Sequence, residues 1–182
     1  IEPLLNGYVQ KGIDVVLRRR LRRVGIALAN QTKNRRLARQ GSMGGWNPYV
    51  TIDLSAASDT ISEEVVRDLL PDEWFTFLDE TRSHSYLLPG ASAPKRYEKF
   101  CSMGNGFCFP LETLIFASLC HAVSSIASNP KDFSVYGDDI IVRQSCALLL
   151  IEVLHEFGFL INKEKSFILG PFRESCGADW YQ

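Results

Sequence analysis

Two adjacent aspartates at a predicted hairpin turn are the first candidates for chemistry. Asp138 and Asp139 follow Gly137 between two short apolar runs, 133–136 and 140–142. Gly and Asp are also the residues that an ordinary turn prefers. Carboxylates are costly in an otherwise buried hairpin, however, and a turn can present both toward one edge, where a regular strand would send them to opposite faces. The pattern favours a grip on hard cations such as Mg²⁺.

A second acidic element lies upstream, at the end of another apolar run. Asp53 falls near the end of the predicted strand 49–54, and Asp59 follows where a helix should begin. An aspartate at either place can simply end a strand or cap a helix. In a ferredoxin-like sheet, however, the first strand and the central hairpin are neighbours, so Asp53 and Asp138 would converge. Two or three carboxylates around a cleft can hold two Mg²⁺ ions about 3.5–4 Å apart for phosphoryl transfer.

Between these acids lies a glycine-rich loop, residues 102–106. Ser102, Gly104 and Asn105 belong to it, and a buried helix is predicted after it. Such loops let the backbone approach a phosphate or a ribose closely, and the amino terminus of a helix favours anions. A purely structural turn explains the same residues equally well.

Arginines crowd one side of the first predicted helix. Four of them fall largely opposite its apolar stripe: Arg18, Arg19, Arg22 and Arg23. Residues 1–40 carry ten Lys and Arg against two acidic residues, a net charge of +8, whereas the rest of the chain carries −9. This asymmetry is expected where one part of a protein meets a polyanion and another holds cations. A solvated helix face remains the alternative for the arginines.

The elements that must position these residues follow from hydrophobic periodicity and turn residues. Helices are predicted at 5–28, 32–40, near 60–70, 72–83, 110–127 and 145–157, with the fifth ending at Asn129-Pro130. Strands are predicted at 49–54, 133–136, 140–142, 165–169 and 171–175, with a hairpin around Pro89-Gly90 at 86–101. The order strand, helix, strand, strand, helix, strand is that of the split βαβ, or ferredoxin-like, sheet. The predicted fold class is therefore α+β.

Composition narrows the class of protein. The chain has 182 residues, of which 46% are hydrophobic and 23% charged, as in ordinary globular proteins. No run of about 18 uncharged apolar residues occurs, so no membrane span is predicted. Five cysteines without paired spacing argue against both a disulfide framework and a zinc site, and predict a reducing compartment. Because the first residue is Ile1, the chain is expected to be an internal piece of a longer one.

The order of these elements resembles motifs A to E of viral RNA-dependent RNA polymerases. The motifs are TIDLSAASD at 51–59, SMGNGF at 102–107, YGDD at 136–139, the FGF segment with Asn162, Lys163 and Lys165 at 157–165, and FRESCG at 172–177. The likeness is strongest to the replicases of levivirus-type RNA bacteriophages, because SMGNG and FRESCG are specific to that group. Gly-Asp-Asp alone is shared much more widely.

The resemblance implies a domain organisation for the whole chain. Residues 1–45 would be a basic helical segment of the fingers, and 46–177 would form the palm of a right-hand polymerase, with a fingers-like insertion near 60–100. Residues 178–182 would begin a thumb. The implied activity is template-directed RNA synthesis from nucleoside triphosphates, in replication of a viral genome.

The resemblance also implies roles in catalysis. Asp53 and Asp138 would be the principal ligands of two Mg²⁺ ions, for which Mn²⁺ can substitute, and Asp139 would be a further ligand. Lys165 is the candidate proton donor to pyrophosphate, with Lys163 as its rival.

The remaining implied roles concern the nucleotide and the RNA. Asp59 would accept a hydrogen bond from the ribose 2′-hydroxyl, directly or through Asn105 or Ser102, and Gly104 completes this nucleotide-binding set. In RNA binding, Arg173 would grip the primer strand within motif E, and the four arginines of the first helix would contact phosphates.

The implied partners are RNA template and product, nucleoside triphosphates, and, as in the family, host translation elongation factors and a ribosomal protein. No membrane partner is expected. The implied location is the cytoplasm of an infected bacterial host.

Departures and alternatives remain open at this point. Cys108 stands where polymerases commonly carry Thr, and Glu112 where many carry Asn. A reverse transcriptase is the enzymatic alternative, although Asp59, rather than a bulky aromatic residue after the first Asp, argues for RNA products. An RNA-binding module of the same topology is the non-enzymatic alternative. Its stacking aromatic residues should stand in the middle of its strands, whereas here the sheet edge offers carboxylates, which would repel RNA unless metal intervened.

Overall fold

The computed structural model describes residues 2–127 and 131–182. Within them the helices are α1 (Leu4–Arg23), α2 (Thr32–Ser42), α3 (Ala57–Thr60), α4 (Glu63–Leu69), α5 (Asp72–Glu80), α6 (Cys108–Ala127) and α7 (Gln144–Glu156). The strands are β1 (Tyr49–Ile52), β2 (Ser85–Tyr86), β3 (Lys95–Arg96), β4 (Phe133–Tyr136), β5 (Asp139–Arg143), β6 (Phe172–Ser175) and β7 (Ala178–Tyr181). The predicted α+β class is confirmed. The predicted helix end at Asn129-Pro130 lies outside the described residues.

A three-stranded antiparallel sheet lies at the centre, in the order β1-β5-β4. Val50 pairs with Val142, and Val135 pairs with Ile140. β1 is buried along its whole length, which explains why its sequence is rich in β-branched residues rather than alternating with polar ones. The sheet therefore places the end of β1 beside the turn that joins β4 to β5.

The predicted strand at 165–169 is wrong as a regular strand. It pairs with β1 only through one bridge, in which the Phe167 N–H donates to the Thr51 carbonyl at 2.8 Å. The final hairpin is instead β6–β7, whose turn is made by Cys176 and Gly177 at φ +53° and +65°. Two residues at positive φ suit a tight hairpin turn. β6 agrees with the predicted strand 171–175, whereas β7 was not predicted, because a turn with a non-glycine residue at positive φ is hard to anticipate.

Helix α6, which like α1 has 20 residues, is the centre of the core. Leu111, Ile115 and Phe116 on it are at most 1% exposed, and it packs against α1, α7 and β4. By length and composition, Cys108–Ile126 could cross a membrane, but 61% of that window is buried within the protein. A buried core helix of this kind meets the same criteria, so the observation is weak evidence for a span.

Two predicted helices have different bounds in the structure. α1 ends at Arg23 rather than at residue 28, because Gly25 adopts φ +87° and the chain folds back to bury Leu28. The helix predicted near 60–70 is divided into α3 and α4. Ser62 begins α4, since its hydroxyl accepts a hydrogen bond from the Val65 N–H at 3.2 Å.

Candidate active site

The turn between β4 and β5 is built on helix α6. Gly137 has φ +62°, and a Cβ on it would lie 2.5 Å from the ring of Phe109. The Gly137 N–H donates to the Thr113 hydroxyl at 3.0 Å. Both backbone conformation and lack of space therefore require glycine here, and the helix fixes the position of Asp138.

Asp53 is held in place by the segment that follows α7. Asn162 Nδ2 donates to Asp53 Oδ2 at 2.9 Å, and the Asp53 N–H donates to Ser166 Oγ at 3.0 Å. The Asn162 N–H also donates to the Asp53 carbonyl at 3.0 Å. The sequence singled out Asn162 only within a motif. Its role as the partner that orients Asp53 depends on this fold.

The charges of Asp53 and Asp138 act on each other. Burial raises the pKa of Asp53, and the negative charges of Asp138 and Asp139 add to this effect, while Asn162 and Lys165 oppose it. Burial also raises the pKa of Asp138, with Asp139 adding to the rise and Lys165 opposing it. Carboxylates in this condition are stabilised when a cation is close.

Asp139 is turned toward the final hairpin. Its Oδ1 accepts hydrogen bonds from the Ser175 hydroxyl at 3.0 Å and from the Cys176 N–H at 2.9 Å. Asp139 is the first residue of β5 and pairs with Tyr136. Its carboxylate therefore has protein partners, whereas no protein donor to the Asp138 carboxylate from another residue is found among the described residues.

A buried asparagine on α2 links Asp139 to the residues around it. Asn34 is 3% exposed, and its Nδ2 donates to the Asp139 carbonyl at 3.1 Å and to Ser175 Oγ at 3.4 Å. Its Oδ1 accepts from the Ser134 hydroxyl at 2.6 Å. One amide thus joins the basic helix, the central sheet and the final hairpin. Nothing in the sequence distinguishes it from the surface residues of a basic helix.

Two further acids stand close to the predicted ones. Burial raises the pKa of Glu112 to about 8, with the charge of Asp138 adding to the rise. Burial also raises the pKa of Glu174, to which the charges of Asp139 and Asp179 contribute. Glu112 was noted in the sequence only as a departure from a motif, and Glu174 only as part of one.

The donor set suits a hard cation only in part. Among residues 2–127 and 131–182, no three acidic, His or Cys side chains come close enough together to form a ready metal site. Asp53 and Asp138 have the right chemistry, since they are half-buried carboxylates whose oxygen atoms suit a hard cation. Asp139 would have to give up hydrogen bonds to join them.

The residues predicted to bind nucleotide do not form one cluster. The Asp59 carboxylate, 63% exposed, makes an ion pair with Lys99. Ser102 instead donates to a carboxylate oxygen of Glu2 at 2.6 Å. The structure therefore does not link Asp59 to Ser102.

The glycine-rich loop is docked on α1. The Gly106 N–H donates to Gln10 Oε1 at 2.9 Å, and Gly104 adopts φ +84°. Asn105 Oδ1 accepts from the Phe107 N–H at 3.0 Å, but its Nδ2 is buried without a partner among the described residues. An unpaired buried donor is costly, and a ligand could pair with this atom only if the loop moved to expose it.

Lys165 and Lys163 are both exposed, but they differ in what they face. The charge of Lys165 lowers the pKa of both Asp53 and Asp138, and no such effect of Lys163 is found. Lys165 is therefore the lysine directed at the carboxylates.

The arginines predicted to bind RNA divide into two kinds. Arg18 is engaged within the protein, with Asp14 at 2.7 Å and the Leu28 carbonyl at 3.2 Å. Arg19, Arg22 and Arg23 are exposed along α1.

Arg173 differs from both. It is 1% exposed, and its guanidinium donates to the carbonyls of Tyr49, Gly170 and Phe172 at 2.6–2.8 Å. In this structure the side chain does not reach the surface where RNA could contact it, because each of its described hydrogen bonds is made to a backbone carbonyl inside the protein.

Comparison with known proteins adds an independent line of evidence. A family model described as RNA replicase, beta-chain, matches residues 1–182. The RNA-directed RNA polymerase subunit beta of Escherichia virus Qbeta is 48% identical over 182 residues, and that of Enterobacteria phage SP is 47% identical over 183. The RNA-directed RNA polymerase beta chain of Escherichia phage MS2 is 45% identical over 181 residues. Each match covers 100% of this chain but only 30–32% of the relative, so the chain spans about a third of the length of these curated relatives.

Proposed function

We propose that this chain, which belongs to the RNA replicase beta-chain family, carries the catalytic palm of an enzyme that synthesises RNA on an RNA template. The observation that carries the proposal is the pairing of Asp53 and Asp138. They stand at the end of β1 and in the turn before β5, strands that are neighbours in the sheet. Burial raises the pKa of both, and the charge of Asp138 adds to the rise at Asp53.

The sheet supports a ferredoxin-like palm. Its order β1-β5-β4, with the bridge from Thr51 to Phe167 on the far side of β1, is the strand order of a split βαβ sheet whose fourth strand is reduced to one pair. We assign residues 1–45 to the fingers, 46–177 to the palm with an insertion near 60–100, and 178–182 to the start of a thumb.

The chemistry divides between metal ions and side chains. Two Mg²⁺ or Mn²⁺ ions would supply Lewis acidity toward the primer hydroxyl and the triphosphate. Asp53 and Asp138 would hold them, and Asn162 keeps the Asp53 carboxylate oriented. Asp139 would join as a further ligand when it leaves Ser175. Lys165, rather than its rival Lys163, would donate a proton to the departing pyrophosphate.

Selection of the sugar is assigned to Asp59 and the glycine-rich loop. The exposed Asp59 carboxylate can accept a hydrogen bond from a 2′-hydroxyl. Asn105 Nδ2, which is buried and unpaired among the described residues, would donate to the nucleotide only after the loop moved to expose it. Ser102 and Gly104 shape the loop through the bond to Glu2 and the positive φ.

The proposed partners are RNA template, RNA product and nucleoside triphosphates. Arg19, Arg22 and Arg23 offer phosphate contacts on α1. Host translation elongation factors and a ribosomal protein remain proposed partners from family resemblance. The proposed place of action is the cytoplasm of an infected bacterium, in keeping with relatives that come from bacteriophages.

The substitution Asp138→Asn in the intact replicase tests this function. Nucleotide incorporation should be lost, while retention of RNA stays near wild type. Binding of Mg²⁺, followed as the metal-dependent rise in melting temperature, should weaken as well. Asp68→Asn, at an exposed position on α4, is the matched control and should change neither. Near wild-type turnover of Asp138→Asn would contradict the metal assignment. RNA binding in an otherwise inactive wild-type protein would favour an RNA-binding module.

A further inference from the structure

A mixed polar and aromatic cleft lies beside the small β2–β3 hairpin, within the insertion. It has a volume of about 820 Å³ and opens to solvent. Two tyrosines, three cations and two carboxylates line it, and Asp59 is one of the carboxylates. The sequence did not reveal this site, because its tyrosines come from both strands of the hairpin and only one of them lies next to the cations in sequence.

The tyrosines form an aromatic pair across the hairpin. The rings of Tyr86 and Tyr97 are 4.8 Å apart between centroids and are tilted by 35°. Tyr97 is fixed at the end of β3 by its N–H, which donates to the His84 carbonyl at 2.9 Å. Both residues are only partly buried. Such a pair offers a π-face to a base of any sequence.

The cations on the hairpin are only partly neutralised. Lys95 is exposed and pairs across the strands with Tyr86, so it stands beside the rings. Arg96 contacts Glu63 at 2.9 Å but remains 70% exposed. That same glutamate also binds Arg67 and Arg82, at 2.8 and 3.0 Å. Arg82 also contacts Asp79 at 2.7 Å. Three guanidinium groups are therefore matched by two carboxylates, which leaves positive charge on the exposed Arg96 available to an anion.

The cleft reaches the predicted sugar-binding residue through Lys99. Lys99 makes the ion pair with Asp59, and its backbone is held against Ser62 by a β-bridge. Next to it, the Phe100 N–H donates to the Ile61 carbonyl at 2.7 Å. Lys99 is thus anchored between the hairpin and the helix that carries Asp59.

We propose that this cleft is a ribonucleotide subsite. A ribonucleotide combines an aromatic base, a sugar with hydroxyl donors and an anionic phosphate. The tyrosine pair would stack on the base, Asp59 would accept from the sugar, and Lys95, Arg96 and Lys99 would meet phosphate. On a surface that only binds polyanions, carboxylates such as Asp59 and Glu98 would repel the ligand. The inference rests on the proposed function, since it takes Asp59 to face a nucleotide.

The ligand can come from two sources that share this chemistry, a free nucleoside triphosphate or one nucleotide of an RNA strand. Binding should therefore be measured with two probes, ATP alone and a fluorescein-labelled single-stranded RNA of ten nucleotides. The measurements use the intact replicase carrying Asp138→Asn, in the presence of a chelator. These conditions prevent turnover and reduce any metal-dependent binding at the carboxylates.

Two substitutions in that background test the cleft. Tyr97→Leu removes the stacking face but keeps an apolar side chain, and Lys95→Gln removes one exposed charge. Tyr97→Leu should weaken binding of at least one probe about fivefold or more. Lys95→Gln should weaken the same probe and lower its salt slope by about one. Tyr97→Phe retains the ring and should bind as the parent does.

Matched controls lie outside the cleft. Tyr181→Leu changes an exposed tyrosine of β7, and Lys11→Gln changes an exposed lysine of α1. Weaker ATP binding in the cleft variants alone identifies a free nucleotide as the ligand, and weaker RNA binding alone identifies a strand. If neither probe distinguishes the cleft variants from the controls, the cleft proposal is overturned, even where Asp138→Asn has abolished incorporation. If Asp138→Asn incorporates normally, the proposed function fails instead.

Discussion

At the scale of single residues, the site depends on which carboxylates are left without protein partners. Asp139 accepts two hydrogen bonds, whereas Asp53 accepts one from Asn162 and lies in the field of Asp138. Because partly buried charges with few partners are costly, the unfavourable electrostatic energy is greatest at Asp138 and Asp53. A cation would relieve it there first.

Glu112 adds a pH dependence that a variant can isolate. Burial raises the pKa of Glu112 from its ordinary value of 4.5 to about 8. Between these two pH values the native state holds a proton that the unfolded chain has lost. Stability is therefore complete below that window and falls as the pH rises through it. Glu112→Gln should flatten this fall in urea unfolding of the metal-free protein. Glu152→Gln, at an exposed site on α7, should leave the fall in place. A wild-type curve already flat over this range would refute the assignment.

Asp59 gives a prediction about sugar choice. A site built to hydrogen-bond a hydroxyl rejects an analogue without it, because the polar group is then unpaired. Asp59→Ala should lower kcat/KM for ribonucleotides more than for deoxyribonucleotides, narrowing the preference by about tenfold, or about 1.4 kcal/mol. Lys99→Met breaks the ion pair but keeps the acceptor, so it should retain the preference. Equal losses for both sugars in Asp59→Ala would make Asp59 a structural residue, and steady-state incorporation of matched nucleotides decides between the outcomes.

At the scale of elements, the regular parts of the fold could be predicted and the corner around Asp139 could not. Strands β1, β4 and β5 and helix α6 have strong β-branched or apolar patterns, and the structure confirms them with shifts of one or two residues at most described ends. The meeting of Asn34, Ser175 and Asp139 depends on three elements far apart in sequence. A polar residue on a short basic helix carries no local signal that it will be buried.

Arg173 shows the same limit, because a motif match implied contact with RNA for a side chain that the fold buries. It joins β6 to β1 through the Tyr49 carbonyl, and a Cβ on Gly41 would lie 2.2 Å from that oxygen. Arg173→Met would leave backbone carbonyls unpaired, which should lower the free energy of unfolding by about 3 kcal/mol.

Urea unfolding measures this effect. Arg36→Met, at an exposed position on α2, is the control and should change stability little. Unchanged stability in Arg173→Met together with weaker RNA binding would restore the role in binding RNA that resemblance implied.

At the scale of the whole molecule, charge is divided between a basic amino-terminal segment and an acidic remainder. Residues 1–40 carry +8 and the rest carry −9. The segment is nevertheless part of the core, since Ile13, Leu17 and Leu21 on α1 are at most 3% exposed, and Gln10 holds the glycine-rich loop. The same helix thus supports the glycine-rich loop on one side and presents arginines on the other.

Substitutions of the exposed arginines should therefore affect RNA binding, whereas substitution of Arg18, which is paired within the protein, should affect stability. Replacing Arg22 and Arg23 with Gln should weaken RNA binding across sequences and reduce the slope of log affinity against log salt by about two, because two counterions are no longer released. Arg18→Gln breaks the bond to Asp14 within the protein, so it should lower stability and leave the slope unchanged. Titrations of labelled RNA at several salt concentrations measure the slopes, and thermal unfolding measures stability. An unchanged slope in the double variant would make these arginines a solvated face, and the template path would then have to run elsewhere on the molecule.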